Sequence, residues 1–143
     1  MAHHCEVALI TCEDWRLHQR KDGRNYVADF IKTLGGNCDL ITRAGGVQDL
    51  VRPVAGFDKS VLRDIEVSAK LHNAQQIYLI NHRNCGAYGV FSSLEEEFEQ
   101  HRKDLIGARE IINKEFPGKE IRLYFAELDL GKGEDVFEIK EIK

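Results

Sequence analysis

Residues 76–81, Gln-Ile-Tyr-Leu-Ile-Asn, form a short apolar run with β-branched and aromatic side chains, and it closes on His82-Arg83-Asn84-Cys85-Gly86. Such a run predicts a strand buried on both faces, as in a parallel sheet. Its ending, His-x-x-Cys, can put an imidazole and a thiolate on one metal ion. Two ligands do not complete a site, so the rest of the chain must supply more. A matching strand ending lies near the start, where residues 7–11, Val-Ala-Leu-Ile-Thr, run into Cys12-Glu13-Asp14-Trp15-Arg16. In open parallel sheets, sites form outside the carboxyl ends of the strands. The two endings are therefore expected to meet.

The intervening periodicity supports that architecture. A strand is predicted over 6–11 and a polar loop over 17–25, the latter carrying His18, Arg20, Lys21 and Arg24. These basic residues read as a solvated loop near the mouth of the site. Val27, Phe30, Ile31 and Leu34 share a face and predict a helix over 26–34, stopped by Gly35-Gly36. A strand over 38–42 leads into Arg43-Ala44-Gly45-Gly46, whose glycines permit a tight turn or close backbone approach to a ligand. Residues 47–57 read as irregular. Asp58 is placed as the N-cap of a helix running to about His72, with Leu62, Ile65, Ala69 and His72 on one face. After the 76–81 strand comes a short turn or helix at 87–91. Ser93-Leu94-Glu95-Glu96 then has the capping-box pattern. The helix it opens carries Leu94, Phe98, Leu105 and Ile112 on one side and ends at Phe116-Pro117-Gly118. The acidic run at 95–97 is expected on its solvated surface. A strand over 121–128, a turn at Gly131 and Gly133, and an alternating strand over 136–142 close the chain. The prediction is one α/β domain over residues 1–143, with a mainly parallel sheet flanked by helices and an antiparallel C-terminal edge strand.

Composition narrows the function. A length of 143 residues with 43% hydrophobic content suits one domain with a proper core. A net charge of −4 gives no footprint for nucleic acid or an anionic membrane. No apolar run approaches the roughly 20 residues a membrane helix needs. Met1-Ala2-His3-His4 lacks the form of a secretory signal. A cytoplasmic chain with reduced thiols follows as the expectation for Cys5, Cys12, Cys38 and Cys85. Cys5 and Cys38 flank apolar segments and are expected to be inert core thiols.

Cys12, His82 and Cys85 supply two thiolates and one imidazole. Against a dication they form a neutral site with one open position, the composition of a catalytic zinc. Asp14 is placed either as a fourth ligand or as an acceptor for bound water, and Arg16 as its bidentate partner. Each fragment is common by chance; their order is informative. Strand, C-x-D-x-R, strand, Arg-Ala-Gly-Gly, helix, strand, H-x-x-C-G resembles the β-class carbonic anhydrases across residues 6–91. The resemblance implies zinc on Cys12, His82 and Cys85, and a catalytic dyad of Asp14 and Arg16, with Asp14 on the metal in a closed form. It implies a pocket lined by Trp15, Ala44, Gly45, Gly46 and Gly86. The activity implied is reversible hydration of carbon dioxide to bicarbonate, with hydroxide made available because zinc lowers the pKa of its bound water to about 7. A homodimer or higher homo-oligomer acting on a small molecule is implied too. Hydrolysis of carbon disulfide or carbonyl sulfide at the same metal, and a zinc-binding regulator without turnover, are the alternatives.

The chain departs from the family pattern in places. Trp15 stands where the family has a small residue, and is expected either to narrow the pocket or to pack into the core. The spacing from Cys12 to His82 is longer than usual, with extra length in 17–36. The family's N-terminal helical arm and a glutamine bordering its substrate pocket have no evident counterpart.

Overall fold

A computed structural model describes residues 3–133 and 135–143. Five strands form one sheet: β1 (Val7–Cys12), β2 (Cys38–Arg43), β3 (Gln76–His82), β4 (Glu120–Leu128) and β5 (Phe137–Ile142). Their order is β2-β1-β3-β4-β5, with the first four parallel and β5 antiparallel to β4. This is the predicted sheet with its antiparallel edge.

Every residue of β1 is buried, and β3 is buried from its second residue on. The pattern follows from helices or loops on both faces. Ala8, Ile10, Ile77, Leu79 and Leu123 join one core with the helices α2 (Gln48–Val51), α3 (Phe57–Glu66) and α4 (Leu94–Glu115). Val7, Leu9, Tyr78, Ile80 and Tyr124 face the other way, toward α1 (Tyr26–Lys32).

Local chemistry sets the helix ends, in places differently from the sequence prediction. Asn25 Oδ1 accepts from the Ala28 N–H at 2.9 Å and starts α1, which stops two residues short of Leu34. Residues 47–57 are not wholly irregular, because Leu50 is buried and pulls a helical turn, α2, onto the core. Gly56, at φ 85°, precedes α3 in place of the expected Asp58 cap. A π turn, Val67–Leu71, continues α3 to His72. Ser93 Oγ accepts from the Glu96 N–H at 3.0 Å, as the capping box requires, while Glu96 returns its carboxylate to Ser92.

The largest correction concerns α4. Its buried face is Glu97, His101, Asp104, Leu105, Ala108 and Ile112, while Leu94 is 54% exposed. Three polar residues on that face hide it from a search for apolar periodicity. Glu97 is therefore buried, not solvated. The loop at 17–25 is also packed, with Leu17 and Arg20 buried. Among the described residues no helix is long and apolar enough to cross a membrane.

Candidate metal centre

β1 lies between β2 and β3, with Thr11 opposite Ile80 and Cys12 opposite Arg43. That register carries Cys12, the Arg43–Gly46 turn and His82 to the same carboxyl edge of the sheet. Cys85 follows one turn later, just before a 3-10 turn at Gly86–Tyr88. Cys12, His82 and Cys85 are all buried, and their ligand atoms lie within 4.8 Å of one another. The two sulfurs are 3.9 Å apart. Two thiolates at ~2.3 Å from a tetrahedral zinc stand roughly 3.8 Å apart, so the spacing fits that ion.

The imidazole is oriented for the same purpose. His82 Nδ1 lies 2.9 Å from the Arg83 carbonyl. A carbonyl only accepts, so Nδ1 carries the proton and Nε2 presents a lone pair. Among the described residues Nε2 is buried with no hydrogen-bond partner. A buried acceptor left unpaired costs about 1–3 kcal/mol, a cost that metal ligation would remove.

The thiols are also prepared. Cys12 ionises far below its usual range, chiefly because Cys85 donates its S–H to it, with His82 and the Asp14 backbone adding to this against the effect of burial. Cys85 is correspondingly raised, chiefly by the hydrogen bond it donates to Cys12, with burial and the Cys12 charge adding to it. The pair thus gives up one proton easily and holds the second. The Gly45 N–H approaches Cys12 Sγ at 3.4 Å. Gly45 and Gly46 sit at φ 78° and 60°, a region side chains rarely enter. A Cβ on Gly46 would also collide with Asn81 Oδ1. Ala44 and Gly86 are exposed beside the cluster, while Gly45 and Gly46 are buried.

Asp14 stands outside the three-ligand group. Arg16 Nη2 donates to its Oδ2 at 2.7 Å and Nε to its Oδ1 at 3.1 Å, and the Arg16 backbone N–H adds a third bond at 2.9 Å. Burial would raise the Asp14 carboxyl, but these bonds outweigh it and hold the group below its usual range. Asp14 Oδ2 lies 3.7 Å from His82 Nε2. Arg16 is fixed in turn by Asn84, through the side-chain oxygen at 3.1 Å and the carbonyl at 2.8 Å. Phe137 packs against both Arg16 and the edge of His82.

Trp15 is the residue that departs from expectation. It is 66% exposed, so it is not in the core, and its ring meets the Arg20 guanidinium at 5.8 Å. Arg20 itself is buried, bridging Trp15, Tyr26 and the Asp135 carbonyl. His18 donates from Nε2 to the Cys12 carbonyl at 2.8 Å and so supports the end of β1. Burial pushes Cys5 up to about 11 and Cys38 up to about 12, which keeps both thiols protonated in the metal-free chain. All four cysteines are free.

Sequence reasoning missed the support beneath the motif. Arg83, between the two ligands of H-x-x-C, is only 5% exposed. It donates to Glu127 at 2.6 and 2.8 Å and to Glu97 at 2.9 Å, and Glu97 also accepts the Asn84 N–H at 2.6 Å. Asn81 accepts from the Val47 N–H at 3.2 Å and donates to Tyr88 at 3.0 Å and His101 at 2.9 Å. Tyr88 donates to Asp104 at 2.6 Å. The one available signal was polar residues, Asn81 and Arg83, directly flanking His82 at the end of an apolar strand.

A family model described as "Putative carbonic anhydrase" matches residues 2–132. An uncharacterised protein of Rickettsia conorii is 31% identical over 140 residues, which cover 92% of this chain and 72% of that protein. The solved structure of β-carbonic anhydrase isoform I from Trichomonas vaginalis superposes with a TM-score of 0.62 at 16% identity, over 99% of this chain and 84% of its own. An apo carbon disulfide hydrolase superposes with a TM-score of 0.55 at 14% identity, over 89% and 76%. At these identities the likeness to the solved structures establishes a shared fold.

Proposed function

The chain belongs to the "Putative carbonic anhydrase" family, and from that premise we propose that it hydrates carbon dioxide reversibly to bicarbonate at a zinc ion held by Cys12, His82 and Cys85. The observation that carries this reading is the convergence of two thiols and an unpartnered, buried imidazole nitrogen at one edge of the sheet. A zinc ion bound there would supply a Lewis acid that makes hydroxide available near neutral pH.

The chain's own residues do the rest. Cys12 and Cys85 provide the charge that neutralises a dication. His82 is locked in the required tautomer by the Arg83 carbonyl. Asp14 is a carboxylate held in one orientation, able to accept the hydrogen of a nucleophile and to aim its lone pair. Leaving Arg16 to occupy the fourth ligand position would break charge-assisted bonds worth about 1.5–3 kcal/mol each, so Arg16 favours the open form. Reduced thiols suit a cytoplasmic setting.

A second reading, hydrolysis of carbon disulfide, has one support: the fold shared with a carbon disulfide hydrolase.

Stopped-flow hydration by zinc-loaded protein tests the proposal, with zinc content measured alongside. The parent chain should turn over carbon dioxide. Cys12→Ser, His82→Ala and Cys85→Ser should each lose most of the zinc of this site and the activity with it. A zinc-replete parent inert toward carbon dioxide but active on carbon disulfide would shift the assignment to the second reading. One inert toward both would leave a binding protein.

A further inference from the structure

At the opposite end of the sheet lies a second group of ligating side chains. Cys5, just before β1, Asp39, near the start of β2, and His72, at the end of the π turn, bring a sulfur, a carboxylate oxygen and an imidazole nitrogen within 4.8 Å of one another. We propose that Cys5, Asp39 and His72 form a second binding site for a zinc-like divalent cation, separate from the Cys12–His82–Cys85 centre.

Backbone constraints hold the three residues together. The Cys5 N–H donates to the His72 carbonyl at 3.1 Å. Val7 pairs with Cys38, which fixes Asp39 one residue along β2. The π turn ends on His72, whose N–H donates to the Val67 carbonyl at 3.3 Å, and Asn73 at φ 53° stops it there. π turns recur at functional sites. Both Ser68 and His72 reach Asp39 Oδ2, at 2.7 and 2.5 Å. Ser68 thereby orients the carboxylate without occupying its second oxygen, a supporting contact typical of metal ligands.

The donor set is chemically apt. One thiolate and one carboxylate neutralise a dication, and an imidazole completes a mixed sulfur, nitrogen and oxygen set suited to zinc. Binding would release the Cys5 thiol proton and replace the Asp39–His72 hydrogen bond. Cys5 is buried, whereas the Asp39 and His72 side chains are 29% and 32% exposed. They line a groove with Asp64, Val67 and Ser68, which gives an ion a way in.

The experiment is zinc titration of the full chain, followed by dialysis and elemental analysis. The parent should retain about two zinc ions per chain. Cys5→Ser and His72→Ala should each lose about one, while Cys12→Ser/Cys85→Ser keeps about one. Cobalt bound to the Cys12→Ser/Cys85→Ser protein should show a thiolate-to-cobalt absorption band that disappears when Cys5→Ser is added. His3→Ala/His4→Ala should keep both ions. A zinc count unchanged by Cys5→Ser and His72→Ala, a Cys12→Ser/Cys85→Ser protein that retains no zinc, or loss of an ion with His3 and His4 would each overturn the proposal. Carbon dioxide turnover does not enter these readouts, so they stand or fall apart from the proposed function.

Discussion

At the scale of single residues, Arg16 carries the heaviest assignment. Its guanidinium binds both Asp14 oxygens, and Asn84 from the H-x-x-C turn holds it in place. Arg16 and Asp14 side chains are only 13% and 14% exposed, so water screens the pair far less than a surface ion pair. Removing the arginine frees Asp14 3.7 Å from His82 Nε2, close enough to compete for the metal. Arg16→Ala should therefore keep its zinc and lose at least tenfold in hydration rate. Arg16→Lys should recover only part of that loss, since an ammonium lacks the planar fork. An Arg16→Ala protein hydrating carbon dioxide at the parent rate, zinc in place, would end this role for the dyad. Trp15 offers a contrast. Exposed as it is, Trp15→Ser should alter stability by no more than about 0.5 kcal/mol, which denaturant melts would show.

At the scale of elements, the sequence was legible where burial is apolar and opaque where it is polar. The strands announced themselves by β-branched runs, and the ligands by their place at strand ends. The face of α4 did not, because Glu97, His101 and Asp104 occupy core positions. Glu97 and Asp104 are tolerated because partners distant in sequence satisfy them, Arg83 for the first and Arg52 and Tyr88 for the second, whereas Asn81 pairs only Nδ1 of His101 and the buried Nε2 has no partner among the described residues. No local pattern encodes such pairs. His101 gives this a measurable consequence. It is fully buried, and desolvation lowers it from 6.5 to about 4, with His82, Arg83 and Arg52 acting in the same sense and the charge of Asp104 against. The Asn81 amide donates into Nδ1, which also requires the neutral ring. Between pH 6.5 and 4 the unfolded chain binds a proton here that the native chain refuses. Stability must then fall as pH drops through that window and level off below it, by about 3 kcal/mol for this group. Urea melts of metal-free protein at pH 7 and pH 4 should show His101→Phe losing about that much less than the parent. Equal losses would mean that His101 protonates freely in the native state.

At the scale of the whole molecule, the two edges of the sheet differ. β5 turns exposed Glu138, Lys140 and Glu141 outward, a common guard against edge pairing. β2 has only Asp39 and Arg43 as charges, and these are engaged by His72 and Asp49. Between them Leu40 is 44% exposed. An edge with unpaired backbone and an uncovered leucine favours pairing with another strand, and a second copy related by a two-fold axis is the simplest partner. The chain should therefore run at twice its mass in size-exclusion chromatography with light scattering. Leu40→Lys should shift it toward the monomer, by placing like charges near the two-fold axis. A parent chain that is monomeric at micromolar concentration would refute the dimer, and a Leu40→Lys protein that stays dimeric would move the contact away from β2.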